Sequence, residues 1–238
     1  MINDNSRPLV FLGSNAALWF LMDTCEQHDI KVAGIIDNDY FGNTEQIEGV
    51  PVIDTELVFA DAERLAYYKS KYNFFVATNW LADRDPVHTR NRLKRQQLIN
   101  LVEQHDLPCI SLVDQSAKVH RTTTIGRGVF IDGFAYVSAF NEIGDFVSIF
   151  AYSALGHHNR IGKNSVIQRQ SGIKDDNVIE SEVYIGLHSQ IFGDHLTIAQ
   201  GTVIHPCMAI RRSTAPNEVV SLAGQDLRKI YPLASFDT

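Results

Sequence analysis

From Val119 to Ile191 the chain reads VHRTTT IGRGVF IDGFAY VSAFNE IGDFVS IFAYSA LGHHNR IGKNSV IQRQSG IKDDNV IESEVY IGLHSQ I, with an aliphatic residue heading every group of six. The series is Val119, Ile125, Ile131, Val137, Ile143, Ile149, Leu155, Ile161, Ile167, Ile173, Ile179, Ile185 and Ile191, without a miss. A period of six matches neither an α-helix, at about 3.6, nor an ordinary strand, at about 2. It is the hexapeptide signature of a parallel β-helix, in which each hexad supplies a short strand and a corner and the aliphatic side chain points to the axis. With three hexads to a triangular turn, residues 18 apart stack, about 4.8 Å from one another as neighbouring strands do.

Four positions after most anchors stands a small or short polar residue, as at Thr123, Val129, Ala135, Val147, Ser153, Ser165, Ser171, Val183 and Ser189, which fits a tightly turned corner. The register slips by one after Ile191 and resumes at Ile198, Ile204 and Ile210, so an added loop residue is expected near Gly193 to His195.

The 238 residues are 45% hydrophobic with a formal net charge of −7, enough apolar material for one or two domains with a substantial core. No uncharged apolar run approaches the length of a membrane span. Met1 to Pro8 lacks the basic start and apolar stretch of a secretion signal, so no membrane insertion and a cytoplasmic location are expected. The acidic balance argues against general nucleic-acid binding. Cys25, Cys109 and Cys207 are an odd number without metal-ligand spacing, which points to reduced thiols rather than a disulfide framework.

Residues 1–112 read as strands alternating with helices, which predicts a small α/β layer with a parallel sheet, followed by the solenoid over 113–238. The expected elements are a strand Leu9 to Leu12, a turn Gly13-Ser14-Asn15-Ala16, a helix to about His28, and a strand Lys31 to Ile36. A segment Val50 to Ile53, a helix near Thr55 to Lys69, a strand Asn73 to Ala77, a helix from about Pro86 to Gln104 and a strand Cys109 to Val113 follow. In such sheets ligands bind beyond the carboxyl ends of the strands, where tight glycine turns and helix N-termini offer N–H groups to phosphate. Those ends carry Gly13 and Ser14, then Asp37, Asn38 and Asp39, then Thr78 and Asn79, the candidate substrate-binding set. The full G-x-G-x-x-G pattern is absent, which argues against a dinucleotide dehydrogenase.

A small α/β unit joined to a hexapeptide solenoid that carries Leu155-Gly156-His157-His158-Asn159-Arg160-Ile161-Gly162 resembles the bacterial hexapeptide-repeat sugar acyltransferases. These modify nucleotide-linked amino sugars, with sialic acid O-acetyltransferases as relatives, and the resemblance covers essentially the whole chain. It implies a Rossmann-like N-terminal domain holding the nucleotide-linked sugar, a left-handed β-helix, a homotrimer and acetyl-CoA in a groove between neighbouring solenoids. By that match His157 is the general base, with the adjacent His158 as the alternative; acyl transfer can be direct, since no nucleophilic serine or cysteine is required. In the family a carboxylate follows the His and a glycine N–H one turn on holds the oxyanion; here those positions are His158 and Asp175. Two alternatives remain beside N-acetyl transfer: transfer to a sugar hydroxyl, and a solenoid that binds a nucleotide or assembles without catalysis.

The chemistry requires an amine or hydroxyl to lose a proton as it attacks a thioester, and an imidazole titrating near 6.5 accepts it at neutral pH. His157 falls two residues after an anchor and should face outward. The spacing of 18 places Asp175 above His157 and Asp176 above His158, so one of these carboxylates can replace the family's adjacent acid and raise the basicity of an imidazole. The same count stacks Asn141, Asn159 and Asn177 in a column expected to form an amide ladder. The other histidines of the solenoid, His120, His188, His195 and His205, raise a zinc reading because some hexapeptide solenoids are carbonic anhydrases. His158 and His188 are 30 apart, not a multiple of 18, and no His-x4-His pair occurs, so no metal site is expected.

Two basic groups remain. Arg90, Arg92, Lys94 and Arg95 lie on an expected helix with Leu93, Leu98, Leu101 and Val102, and read as a solvated face. Arg211, Arg212, Arg228 and Lys229 lie at the end of the solenoid, toward which the family's CoA phosphates lie. With Asp175 and Gly193 they form the expected cofactor-binding set, and Ala223 to Arg228 is similar to the family's terminal turn.

Overall fold

Aliphatic anchors that must point inward turn the hexads into strands of two residues, one outward and one axial, as in Tyr136–Val137, Ser148–Ile149 and Arg160–Ile161. The computed structural model describes residues 6–14, 18–78 and 86–221. In it the hexads stack into three parallel sheets of six, five and seven strands, paired 18 residues apart: Tyr136 with Ala154, Glu142 with Arg160, Ser148 with Val166. The axial side chains, Val137, Ile149, Ile167, Ile185 and Ile204 among them, form one buried column.

The third residue after each anchor from Ile125 to Ile185 turns the corner in the left-handed region. From Phe134 through Phe140, Phe146, Tyr152, His158, Asn164, Gln170, Asp176 and Glu182 to His188 the φ values lie between 56° and 61°. That conformation costs a non-glycine residue roughly 1–2 kcal/mol, and hydrogen bonds between coils offset it. His158 N–H donates to Ala139 (3.1 Å), Asn164 to Asp145 (2.9 Å) and Asp176 to His157 (3.0 Å). Buried corner hydroxyls add to them: Ser153 donates to the Gln168 carbonyl and Ser171 to that of Gly186.

The asparagine column forms, with different partners from those expected. Asn141 Oδ1 accepts the Asn159 N–H, Asn159 Oδ1 accepts the Asn177 N–H, and the side-chain NH₂ groups donate to the carbonyls of Gly156 and Gly193. Amide meets backbone rather than amide, because the asparagine side chains turn inward, where buried main-chain groups need partners. The added residue after Ile191 is absorbed at a corner where His195 takes φ 55°, and Thr197–Ile198 resumes the ladder against Val178–Ile179.

The N-terminal layer consists of β1 (Leu9–Leu12), α1 (Leu18–Gln27), β2 (Val32–Ile36), β3 (Gln46–Ile47), β4 (Val50–Asp54), α2 (Ala62–Lys71), β5 (Asn73–Val76) and α3 (Pro86–His105), with sheet order β3-β4-β2-β1-β5. The sheet is mixed rather than parallel. Glu48 and Gly49, at φ 48° and 82°, close a two-residue hairpin that sets β3 antiparallel to β4. The helix expected over Thr55 to Lys69 is divided into a 3-10 segment, Glu56–Ala60, and α2, because Asp61 caps α2 by accepting the N–H groups of Glu63 and Arg64. The expected strand Cys109 to Val113 also splits. Cys109 makes a single bridge to Phe74, whereas Leu112–Val113 pairs with Phe130–Ile131 in the solenoid.

The layer lies on one face of the prism. The outward residues of the seven-stranded sheet, Phe130, Ser148, Val166 and Tyr184, are buried, and Phe20 of α1 packs on Phe130 and Phe150 at 5.4 and 6.1 Å between ring centres. The basic face of α3 is not solvated. Arg95 is 1% exposed and donates to Asn164 Oδ1 (2.9 Å) and to the carbonyls of Val76, Thr78 and Phe146. Burial pushes its guanidinium down to about 10, so it stays charged at neutral pH. Arg92 faces Glu182 at 3.7 Å, and Lys94 reaches three carboxylates described below. The correction has a physical cause: α3 is wedged against both sheet and solenoid, burying Leu98, Ile99 and Val102 while Leu93 is left exposed. The Arg90 side chain lies outside the described residues. No helix among the described residues is long and apolar enough to cross a membrane.

Arg95→Leu should strand three buried carbonyls and one amide, lowering the unfolding free energy by about 3 kcal/mol or more. Urea denaturation checks this, and a loss below about 1 kcal/mol would show that the clamp contributes little.

Candidate active site

His157 and His158 follow the buried anchor Leu155 by two and three residues, which places both on a corner. The covered face runs between the corner of Phe146 and Asn164 and the corner of Tyr152 and Gln170. The imidazoles sit on the third corner, with Phe140 and Asp176, opposite the N-terminal layer.

One coil on, Asp175 Oδ1 accepts the His157 backbone N–H at 2.8 Å, while Oδ2 lies 3.6 Å from His157 Nε2. The Nδ1 atoms of His157 and His158 are 3.0 Å apart, a hydrogen-bond distance, and the His158 ring stacks on Phe140 at 4.9 Å and 26°. Asp176 was expected over His158. Its N–H is spent on the His157 carbonyl, and its Oδ2 lies 4.0 Å from His157 Nδ1. Gly156 makes this packing feasible, since a Cβ there would fall 2.1 Å from Asp175 Oδ1. The side chains of His157, Asp175 and Asp176 are 48%, 32% and 38% exposed, so the cluster is reachable from solvent. Such a group can accept a proton and stabilise the resulting imidazolium. His157, His158 and Asp176 also bring nitrogen and oxygen atoms within 4.8 Å of one another, close enough to meet on one small cation. Counting in eighteens between histidines missed this grouping, because it joins chain neighbours to a carboxylate one coil away.

On the face beside this corner a shallow groove of about 490 Å³ is lined by Glu142, Arg160, Val178 and the glycines 144 and 162. A Cβ on Gly162 would fall 2.5 Å from backbone atoms of the next coil, so this floor stays flat.

The carboxyl edge of the N-terminal sheet brings together most of the expected substrate-binding set. Gly13 takes φ 68°, and a Cβ there would meet Thr78 Oγ1 at 2.3 Å. Ser14, Asp37 and Thr78 are buried, yet Ser14 Oγ, Asp37 Oδ2 and Thr78 Oγ1 have no hydrogen-bond partner among the described residues. Buried polar atoms are normally paired, so this trio has hydrogen-bonding capacity to offer a polar group. Asp37 Oδ1 and Asp39 Oδ2 accept from Lys94 Nζ at 2.5 and 2.9 Å, with Glu56 Oε1 at 3.5 Å. Asn38 and Glu56 bond reciprocally, each side chain accepting the other's N–H. Burial disfavours charge on Lys94, but its bonds to Asp37 and Asp39 and the charge of Glu56 outweigh that and raise its pKa. Burial raises the Glu56 pKa. Lys94 is the residue that sequence reasoning assigned to solvent.

The expected cofactor set is more dispersed. The Gly193 carbonyl accepts from Asn177, Arg211 stands 5.1 Å from the Phe192 ring, and Arg212 is engaged by Glu218 and the Ser213 carbonyl. Asn79, Arg228 and Lys229 lie outside the described residues, as does the turn from Ala223 to Arg228. Burial pushes the thiols of Cys25 and Cys109 up to about 12, which keeps them protonated and poor nucleophiles.

No family model and no curated protein matches the chain at the sequence level. Solved structures do match it in fold. WeeI from Acinetobacter baumannii AYE superposes with a TM-score of 0.73 at 18% identity, over 90% of this chain and 96% of that one. PerB from Caulobacter crescentus, solved with CoA and GDP-perosamine, gives 0.63 at 19%, over 90% and 91%. The acetyltransferase domain of PglB from Neisseria gonorrhoeae FA1090 gives 0.62 at 17%, over 90% and 96%. The chain is therefore similar in fold, over nearly its whole length, to sugar acetyltransferases of the hexapeptide-repeat type.

Gly156→Ala should displace the Asp175 carboxylate from the His157 N–H and destabilise the chain by about 1–3 kcal/mol. In the double variant Gly156→Ala, Asp175→Ala most of that loss should disappear. A double-mutant cycle from thermal melts tests this, and strictly additive losses would contradict the contact.

Proposed function

We propose that the chain transfers an acetyl group from acetyl-CoA directly to the amino group of a nucleotide-linked amino sugar. The observation that carries this reading is the His157, His158 and Asp175 cluster on an exposed prism corner, on the fold shared with PerB, whose structure holds CoA and GDP-perosamine. The amine attacks the thioester carbonyl, its proton passes to the imidazole pair, and the carbon–sulfur bond breaks as the tetrahedral intermediate collapses. The proton then returns to the departing thiolate. An imidazole suits both transfers at neutral pH, and a nearby carboxylate stabilises its protonated form. Asp175 also retains a backbone N–H one coil beyond His157, the position from which a donor can hold the oxyanion.

In this reading residues 1–112 form a Rossmann-like domain that takes the nucleotide at Gly13, Ser14, Asp37 and Thr78, and 113–238 form a left-handed β-helix. The paired imidazoles occupy the corner opposite that domain, which supports a homotrimer whose sites lie between copies, acetyl-CoA running along the flat groove beside the corner. No metal takes part, and the enzyme works in the cytoplasm.

The test is thiol release from acetyl-CoA across a panel of nucleotide-linked amino sugars and their hydroxyl counterparts. We expect turnover with an amino sugar, reduced at least about 100-fold when both imidazoles are replaced by alanine. Asp37→Ala should raise KM for the nucleotide sugar with little change for acetyl-CoA. Turnover only with hydroxyl acceptors would move the chemistry to oxygen, and none with any acceptor would leave a binding solenoid.

A further inference from the structure

Resting on that reading, we infer that the proton-accepting atom is Nε2 of His158, and that His157 is a positioning residue locked between His158 and Asp175. The Nδ1 atoms of His157 and His158 stand 3.0 Å apart. Two N–H groups cannot point at each other at that distance, so one Nδ1 donates and the other accepts. Which one donates is decided at the far end of His157. Its Nε2 faces Asp175 Oδ2 at 3.6 Å, and that carboxylate is fixed because its other oxygen holds the His157 backbone N–H. A lone pair on Nε2 would face negative charge, whereas an N–H there is attracted by it. His157 therefore carries its proton on Nε2, its Nδ1 is the acceptor, and the His158 Nδ1–H is the donor.

Asp176 does not reverse this order. Its Oδ2 stands 4.0 Å from His157 Nδ1, farther than the 3.6 Å between Asp175 Oδ2 and His157 Nε2, so the nearer carboxylate decides the tautomer. Lys174, beside Asp175 in the chain, is paired with Asp194 at 2.8 Å, and Arg160, two residues after His158, with Glu142 at 3.3 Å. The consequence lies on His158: its remaining nitrogen, Nε2, has a free lone pair and belongs to an exposed ring. Stacking on Phe140 and the left-handed backbone at φ 56° hold that ring in place. When Nε2 takes the proton of the attacking amine, His158 becomes an imidazolium. Its Nδ1–H then donates to neutral His157, and Asp175 steadies the pair through the His157 N–H. The proton passes from Nε2 to the thiolate, giving the amide and free CoA. A His–His–Asp relay thus stands where an adjacent carboxylate would polarise a single histidine.

Long-range proton–nitrogen NMR on histidine-labelled protein, with no substrate, reads the tautomers directly. His157→Gln and His158→Gln variants assign the signals. We expect the proton on Nε2 of His157 and on Nδ1 of His158, and a mixed His158 tautomer in Asp175→Asn. A proton on Nδ1 of His157, or both rings protonated on Nε2, would overturn the proposal. With an active acceptor in hand, His158→Ala should lower kcat by about 100-fold or more with KM for acetyl-CoA unchanged, and His157→Gln, which can still accept from His158, should retain more activity. The reverse ranking would return the base to His157. The expected tautomers without any turnover would defeat the acetyl-transfer reading, and His158's role with it, while leaving the hydrogen-bond order standing.

Discussion

The axial column of aliphatic side chains sets the phase of everything outside it. Because each anchor must point inward, the residue before it faces outward, the second and third after it make a corner, and the fourth turns back into the wall. That phase puts His157 and His158 on a corner and brings Asp175 against them from the next coil. Shifting one hexad by a residue would bury polar groups in the axis, a change that costs several kcal/mol for each unpaired group. The insertion after Ile191 shows how the column tolerates length: the extra residue is confined to a corner, and the anchors resume at Ile198.

The second constraint is coverage. The N-terminal layer buries one face of the prism, clamped at one edge by Arg95 and packed through Phe20. The opposite corner stays free and keeps its imidazoles exposed. Within the layer, Lys94 draws Asp37, Asp39 and Glu56 into one charge cluster and leaves Asp37 Oδ2 as a buried acceptor. The chain thus presents two kinds of site. One is a buried polar edge of the N-terminal sheet; the other is a solvent-exposed corner of imidazoles and carboxylates.

What was legible in the amino-acid sequence follows from these constraints. Period and register were readable because one physical requirement, an apolar axis, repeats at each turn, and counting by eighteen then placed Asp175 over His157. The edge residues Gly13, Asp37 and Thr78 were readable from strand ends alone. The basic run of α3 was misread because periodicity reports which residues are apolar, not which surface a helix meets: Arg95 satisfies carbonyls on two separate elements that no local pattern reveals. The short strand β3 escaped because two residues carry no alternation. The contact between the two imidazoles depends on side-chain torsions, which spacing does not encode.

The central claim is that the free corner is where an acyl thioester meets a nucleotide-held amine. A crystal structure with CoA and a nucleotide-linked amino sugar bound together tests it most directly. The account predicts the CoA sulfur and the sugar nitrogen within contact of His157 and His158, with the nucleotide at the Ser14, Asp37 and Thr78 edge of a neighbouring copy. Density for CoA on any other corner, with the imidazoles facing only solvent, would contradict it.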